Sequence, residues 1–140
     1  MELNDLSPCP WPESVMAGDF DENSDVGISY LGAFSTGAGK KLLGYAVLGR
    51  EKGEGLLMAL MVRPELRRRG IGAQLLAAVG DCASYLGFVR LRLRVRRSNA
   101  PALALYRGMS FVQRSVSRRY YADGEDAIVM SARLPLENRP

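Results

Sequence analysis

Residues 67–72, Arg67-Arg68-Arg69-Gly70-Ile71-Gly72, join an apolar strand-like run, Leu56 to Val62, to an apolar helix-like run, Ile71 to Leu86. A strand that passes through a glycine turn into a helix and then into another strand commits the chain to a crossover. The two strands then become parallel neighbours in one sheet. Two glycines let backbone N–H groups crowd around a ligand at a helix start, where the helix dipole favours negative charge and the arginines supply more of the opposite sign. The junction reads as a pyrophosphate cradle. Neither common nucleotide fingerprint fits it, since G-x-G-x-x-G lacks its second pair of glycines and a P-loop its Gly-Lys-Ser/Thr.

The segments on either side fix the rest of the architecture. In the helix, apolar residues at 71, 75, 79, 82 and 86 follow helical spacing, and Gly87 stands where a left-handed cap is expected. Arg90-Leu91-Arg92-Leu93-Arg94-Val95-Arg96 then alternates strictly, aliphatics to one face and arginines to the other, as in a half-covered strand. Ser98-Asn99-Ala100-Pro101 supplies a cap residue and an early proline for a short helix through Arg107. Phe111 to Val116 and Ala127 to Leu134 are expected to pair as strands through a turn at Asp123-Gly124. Upstream, residues 1–39 read as a short helix, a polar loop, a strand from Val26 to Phe34 and a Gly-rich turn. Lys41 to Arg50 and Leu56 to Val62 form a hairpin around Glu51-Lys52-Gly53-Glu54-Gly55. The expectation is one α/β domain over residues 1–140 with a mostly antiparallel sheet and one parallel pair.

Composition bounds the chemistry. No apolar run approaches the ~20 residues of a membrane span, and the acidic amino end carries no secretory signal. Cys9 and Cys82 lie far apart without metal spacing, so reduced thiols in a cytoplasmic setting are expected. The chain has no histidine. That excludes Ser-His-Asp and Cys-His mechanisms and argues against a metal site. A net charge of +4 hides a division into −5 for residues 1–62 and +9 for residues 63–140. The basic half suits an anionic cofactor, nucleic acid or the ribosome, and charge alone does not choose among them.

Arg/Gln-x-x-Gly-x-Gly/Ala, preceded by Val62-Arg63-Pro64-Glu65, resembles the acetyl-CoA signature of the GNAT N-acyltransferase superfamily. Asn99-Ala100-Pro101-Ala102-Leu103-Ala104-Leu105-Tyr106 resembles the second motif of that family, Asn-x-x-Ala-x-x-Leu-Tyr. Arg118-Arg119-Tyr120-Tyr121 with Glu125-Asp126-Ala127-Ile128-Val129-Met130, and Pro10-Trp11-Pro12-Glu13 near the amino end, resemble the ribosomal-protein alanine N-acetyltransferases and their amino-terminal acetyltransferase relatives. The resemblance implies a GNAT fold in which the central parallel strands splay. It implies that main-chain groups of Leu60, Met61 and Val62 pair with the pantetheine arm. Arg67, Arg68, Arg69, Gly70, Ile71, Gly72 and Ala73 would then surround the pyrophosphate. By the same resemblance Asn99 bonds the cofactor, Tyr106 is the general acid, and Tyr120 and Tyr121 shape the slot for the acceptor. Adjacent tyrosines on a strand point to opposite faces, so one of the two is expected to touch substrate.

Two departures stand out. These relatives carry a glutamate general base on the strand before the second motif, where this chain has Arg94, and an arginine does not give up its proton. Pro10-Trp11 also comes earlier than in the bacterial relatives, so their first strand is expected to be missing. Losing the base is tolerable for one class of acceptor. An α-amine of pKa near 8 is about a tenth unprotonated at pH 7, a cost of about 1.4 kcal/mol, whereas a lysine at about 10.4 costs nearly 5 kcal/mol. Glu13, in a Pro-Glu segment like that of the eukaryotic relatives, is the candidate helper.

The expected function is transfer of an acetyl group from acetyl-CoA, without a metal, to the α-amine of a protein or peptide N-terminus, a ribosomal protein among the candidates. No direct nucleic-acid or membrane role is expected. The alternatives are a GNAT enzyme for a small amine or a lysine side chain, and a non-catalytic CoA-binding or ribosome-associated module.

Overall fold

The computed structural model describes residues 2–3, 29–34, 41–67 and 70–136. Its strands are β1 (Glu2–Leu3), β2 (Ser29–Phe34), β3 (Leu42–Glu51), β4 (Glu54–Val62), β5 (Arg90–Arg96), β6 (Val112–Ser117) and β7 (Ala127–Arg133). Two helices, α1 (Ile71–Tyr85) and α2 (Ala100–Gly108), flank β5 in the chain, and a single turn of tighter helix, Pro64–Leu66, follows β4. The strands form one sheet in the order β1-β2-β3-β4-β5-β7-β6. Every neighbouring pair is antiparallel except β4 and β5. The mixed sheet with one parallel pair across a helix is therefore as expected. The helix expected early in the chain falls outside the described residues. Ahead of the strands read from sequence, the two-residue β1 pairs with Ala33 and Phe34. Two residues are too few for alternation to be read from sequence.

The β3–β4 hairpin closes through Lys52 and Gly53, both at positive φ (50° and 78°), the backbone of a tight two-residue turn. Farther along, the pairing breaks step. Val47 lies opposite Ala59 and Leu48 opposite Leu57, so Met58 is an extra residue on β4. Such a bulge bends its strand and changes which residues face inward. Before it Leu57 is buried; after it Leu60 and Val62 pack toward the core, while Met58 and Met61 are exposed. Pairing of β4 with β5 ends at the same place, covering only Gly55–Leu57 against Leu91–Leu93. The remaining halves of the two strands diverge.

α1 lies across the sheet with Ile71, Leu75, Leu76, Val79, Cys82 and Ala83 buried against Leu48, Leu91, Leu93 and Met130. Its carboxyl end closes as the sequence indicates. Gly87 has φ 93°, its N–H donates to Ser84 O, and the Phe88 N–H donates to Ala83 O, the paired bonds of a Schellman cap. Cys82, expected as a reduced thiol, is disulfide-bonded in the structure, because sequence spacing carries no information on which sulfurs meet in space. Cys9 lies outside the described residues.

Gly87→Ala forces a Cβ into the left-handed region and should lower stability by about 1–2 kcal/mol. The urea midpoint should fall with an unchanged slope. An unaltered midpoint would show that the cap relaxes without strain.

Candidate active site

The divergence of β4 from β5 opens a cleft of about 660 Å3. Leu60, Met61 and Val62 line one wall and Arg94, Val95 and Arg96 the other, with Gly70, Gly72 and Ala73 of the α1 start and Asn99, Ala102, Leu105 and Tyr106 of α2 between them. Among the described residues, the β5-facing edge of β4 beyond Leu57 has no ladder partner. Its peptide groups face the cleft instead of a strand, an arrangement that invites an extended, amide-bearing ligand.

At the end of the cleft α1 begins without protection. Gly70 is left-handed (φ 79°, ψ 4°), no side chain caps the helix, and its first turn holds no acidic residue. The first helical bond runs from Gln74 N–H to Gly70 O, which leaves the N–H groups of Ile71, Gly72 and Ala73 without an intrahelical acceptor. Arg67 reaches the same part of the cleft. The dipole end, free donors and a cation make this a place for an anion. α2 is capped by Asn99, whose Oδ1 accepts from the Ala102 N–H at 3.2 Å. Asn99 also lines the cleft, and among the described residues its amide N–H groups make no hydrogen bond.

Tyr106 stands on the inner side of α2, only 8% exposed, its ring 5.8 Å from that of Phe111. Burial, with a smaller contribution from the neighbouring Tyr121, pushes its phenol up to about 12. The hydroxyl is therefore un-ionised at any physiological pH, and among the described residues no group bonds it.

The arginines of β5 stand on the face opposite the core, as their alternation implies, and among the described residues three of the four, Arg92, Arg94 and Arg96, are met by carboxylates. Arg94 donates to Glu51 at 2.9 Å, and Arg92 lies 3.3 Å from Glu51 and 3.8 Å from Glu54. Arg96 bridges Asp123 (2.8 Å) and Glu125 (2.9 Å), and Arg97 meets Asp126 at 3.0 Å. Partial burial alone raises Glu51, yet the Arg94 hydrogen bond and the charges of Arg94, Arg92 and Lys52 outweigh it and hold the carboxyl below its usual range. Hydrogen bonds from Ser98 and Arg96 hold Glu125 down, and those from the Glu125 backbone and Arg96 do the same for Asp123. Two arginines also stack on aromatic rings, Arg94 over Tyr120 at 5.2 Å and Arg96 over Tyr121 at 4.1 Å.

The cleft thus brings together Leu60, Met61, Val62, Arg67, Gly70, Gly72, Ala73, Asn99, Tyr106 and Tyr121 of the expected site. Ile71 does not line it, because its side chain is a core residue at 1% exposure and only its N–H can serve there. Tyr120 is half exposed outside the cleft, edge-on to Tyr121. One of the two tyrosines faces the cleft as expected, but the reason differs, since both sit in the β6–β7 connection and not on a strand. Glu13, Arg68 and Arg69 lie outside the described residues. Leu66, Arg94, Val95, Arg96, Pro101, Ala102 and Leu105 line the cleft without having been singled out as contacts. The two arginines were findable from the alternating strand that leads into the second motif.

Residues 1–111 match the model of the acetyltransferase (GNAT) family. The chain belongs to the GNAT acetyltransferases. It is 36% identical over 130 residues to the "[Ribosomal protein bS18]-alanine N-acetyltransferase" of Salmonella typhimurium, covering 91% of this chain and 82% of that one. It is 40% identical over 82 residues to an N-alpha-acetyltransferase of Sulfurisphaera tokodaii, covering 58% of this chain and 49% of that one. Among solved structures, the ribosomal-protein alanine N-acetyltransferase of Escherichia coli superposes with a TM-score of 0.65 at 34% identity, covering 89% of this chain and 78% of that one. The chain is accordingly an acyltransferase. GNAT relatives bind coenzyme A, and the fit is physical here: a strand edge with free peptide groups leads to a helix start with free N–H groups in one continuous cleft.

The raised phenol of this GNAT enzyme has a consequence for stability. Its pKa is about 12 folded and about 10 in an unfolded chain, so between those values the folded state holds more protons. The stabilisation is whole below pH 10 and fades as pH rises toward 12, by at most about 2.7 kcal/mol. Denaturation midpoints of the wild type should therefore fall with pH through this window, and Tyr106→Phe should lack that component. Parallel curves would mean that the phenol titrates normally.

Proposed function

We propose that this enzyme, acting as one domain over residues 1–140, transfers the acetyl group of acetyl-CoA to the α-amine of a protein or peptide N-terminus by direct attack in a ternary complex. One observation carries the acceptor class: among the described residues no carboxylate lines the cleft. The nearest acids are committed to arginines and held below their usual range, which makes them weak bases. An acceptor in this cleft has to lose its own proton, at a cost of about 1.4 kcal/mol for an α-amine and nearly 5 kcal/mol for a lysine at pH 7. The names of the relatives agree with an N-terminal acceptor, a ribosomal protein among them. Such acceptors imply a cytoplasmic enzyme.

In this reading acetyl-CoA supplies an activated thioester. Main-chain groups of Leu60, Met61 and Val62 hold its pantetheine arm along the open edge of β4. The N–H groups of Gly70, Ile71, Gly72 and Ala73, with Arg67, Arg68 and Arg69, hold the pyrophosphate, and Asn99 adds its amide donors. Tyr106 Oη donates to the departing sulfur. Full transfer from a phenol near 12 to a thiolate near 8.5 is uphill by roughly 5 kcal/mol. The proton therefore moves in step with the one lost from the nitrogen, and no free phenolate forms. Tyr121 flanks the acceptor, Tyr120 supports it from behind, and Glu13 is the candidate helper for the amine proton. Cys82, fully buried in α1, is not placed to act as a nucleophile, so no acyl-enzyme is needed.

Wild-type enzyme with acetyl-CoA and a short peptide should release free CoA and yield a product acetylated at the α-amine by mass spectrometry, and spermidine or an N-terminally blocked lysine peptide should react far more slowly. Tyr106→Phe should cut turnover by about two orders of magnitude while leaving cofactor affinity intact. A preference for spermidine, or full activity without the hydroxyl, would overturn the corresponding part of the reading.

The rate should climb with pH through the α-amine pKa near 8, because deprotonation is left to the substrate. Arg94→Glu should flatten the climb and raise turnover more at pH 7 than at pH 9. It places a carboxylate on the cleft wall beside Glu51, whose charge raises its proton affinity toward the useful range. A wild-type profile already flat from pH 6.5 to 9 would mean that another base serves the site.

A further inference from the structure

Gly44 lies on β3 opposite Val62. A Cβ at this position would sit 2.6 Å from the Met61 carbonyl oxygen, 3.2 Å from Val62 Cα and 3.2 Å from Leu75 Cδ1. The first two atoms belong to the part of β4 that β5 no longer supports. The third belongs to α1, one turn beyond the helix start. Among the described residues, past Leu57 only β3 holds β4 in the sheet, and a latch follows directly: the Arg63 N–H donates to Leu43 O at 3.0 Å and its Nε to Leu42 O at 2.6 Å. β3 therefore grips the free half of β4 at its end, and the absent side chain at 44 sets how closely strand and helix approach.

We infer that Gly44 is a positioning residue that, with the Arg63 latch, fixes the distance between the open edge of β4 and the amino end of α1; this rests on the reading of those two elements as the pantetheine and pyrophosphate sites. A methyl at 44 meets a backbone carbonyl, which cannot swing aside as a side chain does, so the strand itself must move by several tenths of an ångström. The α1 turn keeps its shape, since its first bond, Gln74 N–H to Gly70 O at 3.0 Å, is internal to the helix. A ligand that spans both elements loses a main-chain bond at one end. A ligand that touches only the helix start does not.

Calorimetric titration of CoA, which spans both elements, and of ADP, which has the diphosphate but no pantetheine arm, into wild type and Gly44→Ala tests this. CoA should bind about tenfold more weakly to the variant, the loss of about one hydrogen bond, with ADP unchanged. Gly80→Ala is the control for crowding alone, because its Cβ meets Leu136 Cγ at 2.8 Å on a part of α1 outside the cleft, and it should leave both ligands unaffected. Arg63→Ala alters an exposed side chain, so it preserves the fold, and should weaken CoA about threefold and ADP not at all. Equal weakening of both ligands, or no change in CoA for either Gly44→Ala or Arg63→Ala, overturns the inference. Failure of wild type to bind CoA overturns the underlying cofactor reading instead.

Discussion

The site depends on β4 and β5 parting after Leu57 and Leu93. In a regular sheet each peptide group would be spent on the neighbouring strand, and there would be no polar wall for a ligand to pair with. The extra residue at Met58 bends β4 where its pairing with β5 stops, and it reverses which side chains face the core. Leu60 and Val62 consequently anchor the freed half against the core while its outer edge stays open. The crossover helix then has to start beside that edge, because the chain runs from Val62 through one short helical turn into Ile71. Strand edge and helix start are thus neighbours by connectivity, and a ligand with an amide arm and a diphosphate can lie along both.

The arginines of β5 illustrate how charge counted along a sequence differs from charge met in space. Read alone, four arginines on one face of a strand describe a basic wall. In the fold the β3–β4 turn brings Glu51 and Glu54 beside Arg92 and Arg94, and the β6–β7 connection brings Asp123 and Glu125 beside Arg96. Partly exposed pairs of this kind add little to stability, but they fix the rotamers of long side chains. The wall is held in place and largely neutral. At the α1 start, by contrast, no side chain caps the helix and no acidic residue of its first turn offsets the dipole.

What the sequence disclosed and what it hid follow from the range of each signal. The β5 alternation, the Gly87 cap and the Asn99 cap are set by residues within a few positions of one another, and all three are present as read. The bulge was not legible. Leu56 to Val62 is apolar throughout, so an inserted residue leaves no alternation to interrupt. The acidic partners of β5 lie 27 to 43 residues away from their arginines, and no local pattern pairs them. Strand alternation is read into Tyr120 and Tyr121 from sequence, yet both lie in the β6–β7 connection, where the chain turns. The cleft residues found from sequence carry motif glycines, capping groups or hydroxyls. Those missed, Val95 and Leu105 among them, are apolar linings whose role follows only from where the strands separate.

Arg94 draws these strands of the structure together. A glutamate there would be a base aimed at the acceptor; the arginine instead bonds Glu51, stacks on Tyr120 and so ties the cleft wall to the β3–β4 turn. Catalysis gives up a proton acceptor and the wall gains rigidity. For a lysine acceptor the exchange would leave nearly 5 kcal/mol of deprotonation to be found elsewhere, more than a thousandfold in rate, whereas for an α-amine it leaves about 1.4 kcal/mol, or tenfold. A cleft with no base among its described lining residues would therefore discriminate by acceptor pKa before any side chain of the peptide is read, by roughly two hundredfold at pH 7 and progressively less as pH rises above 8.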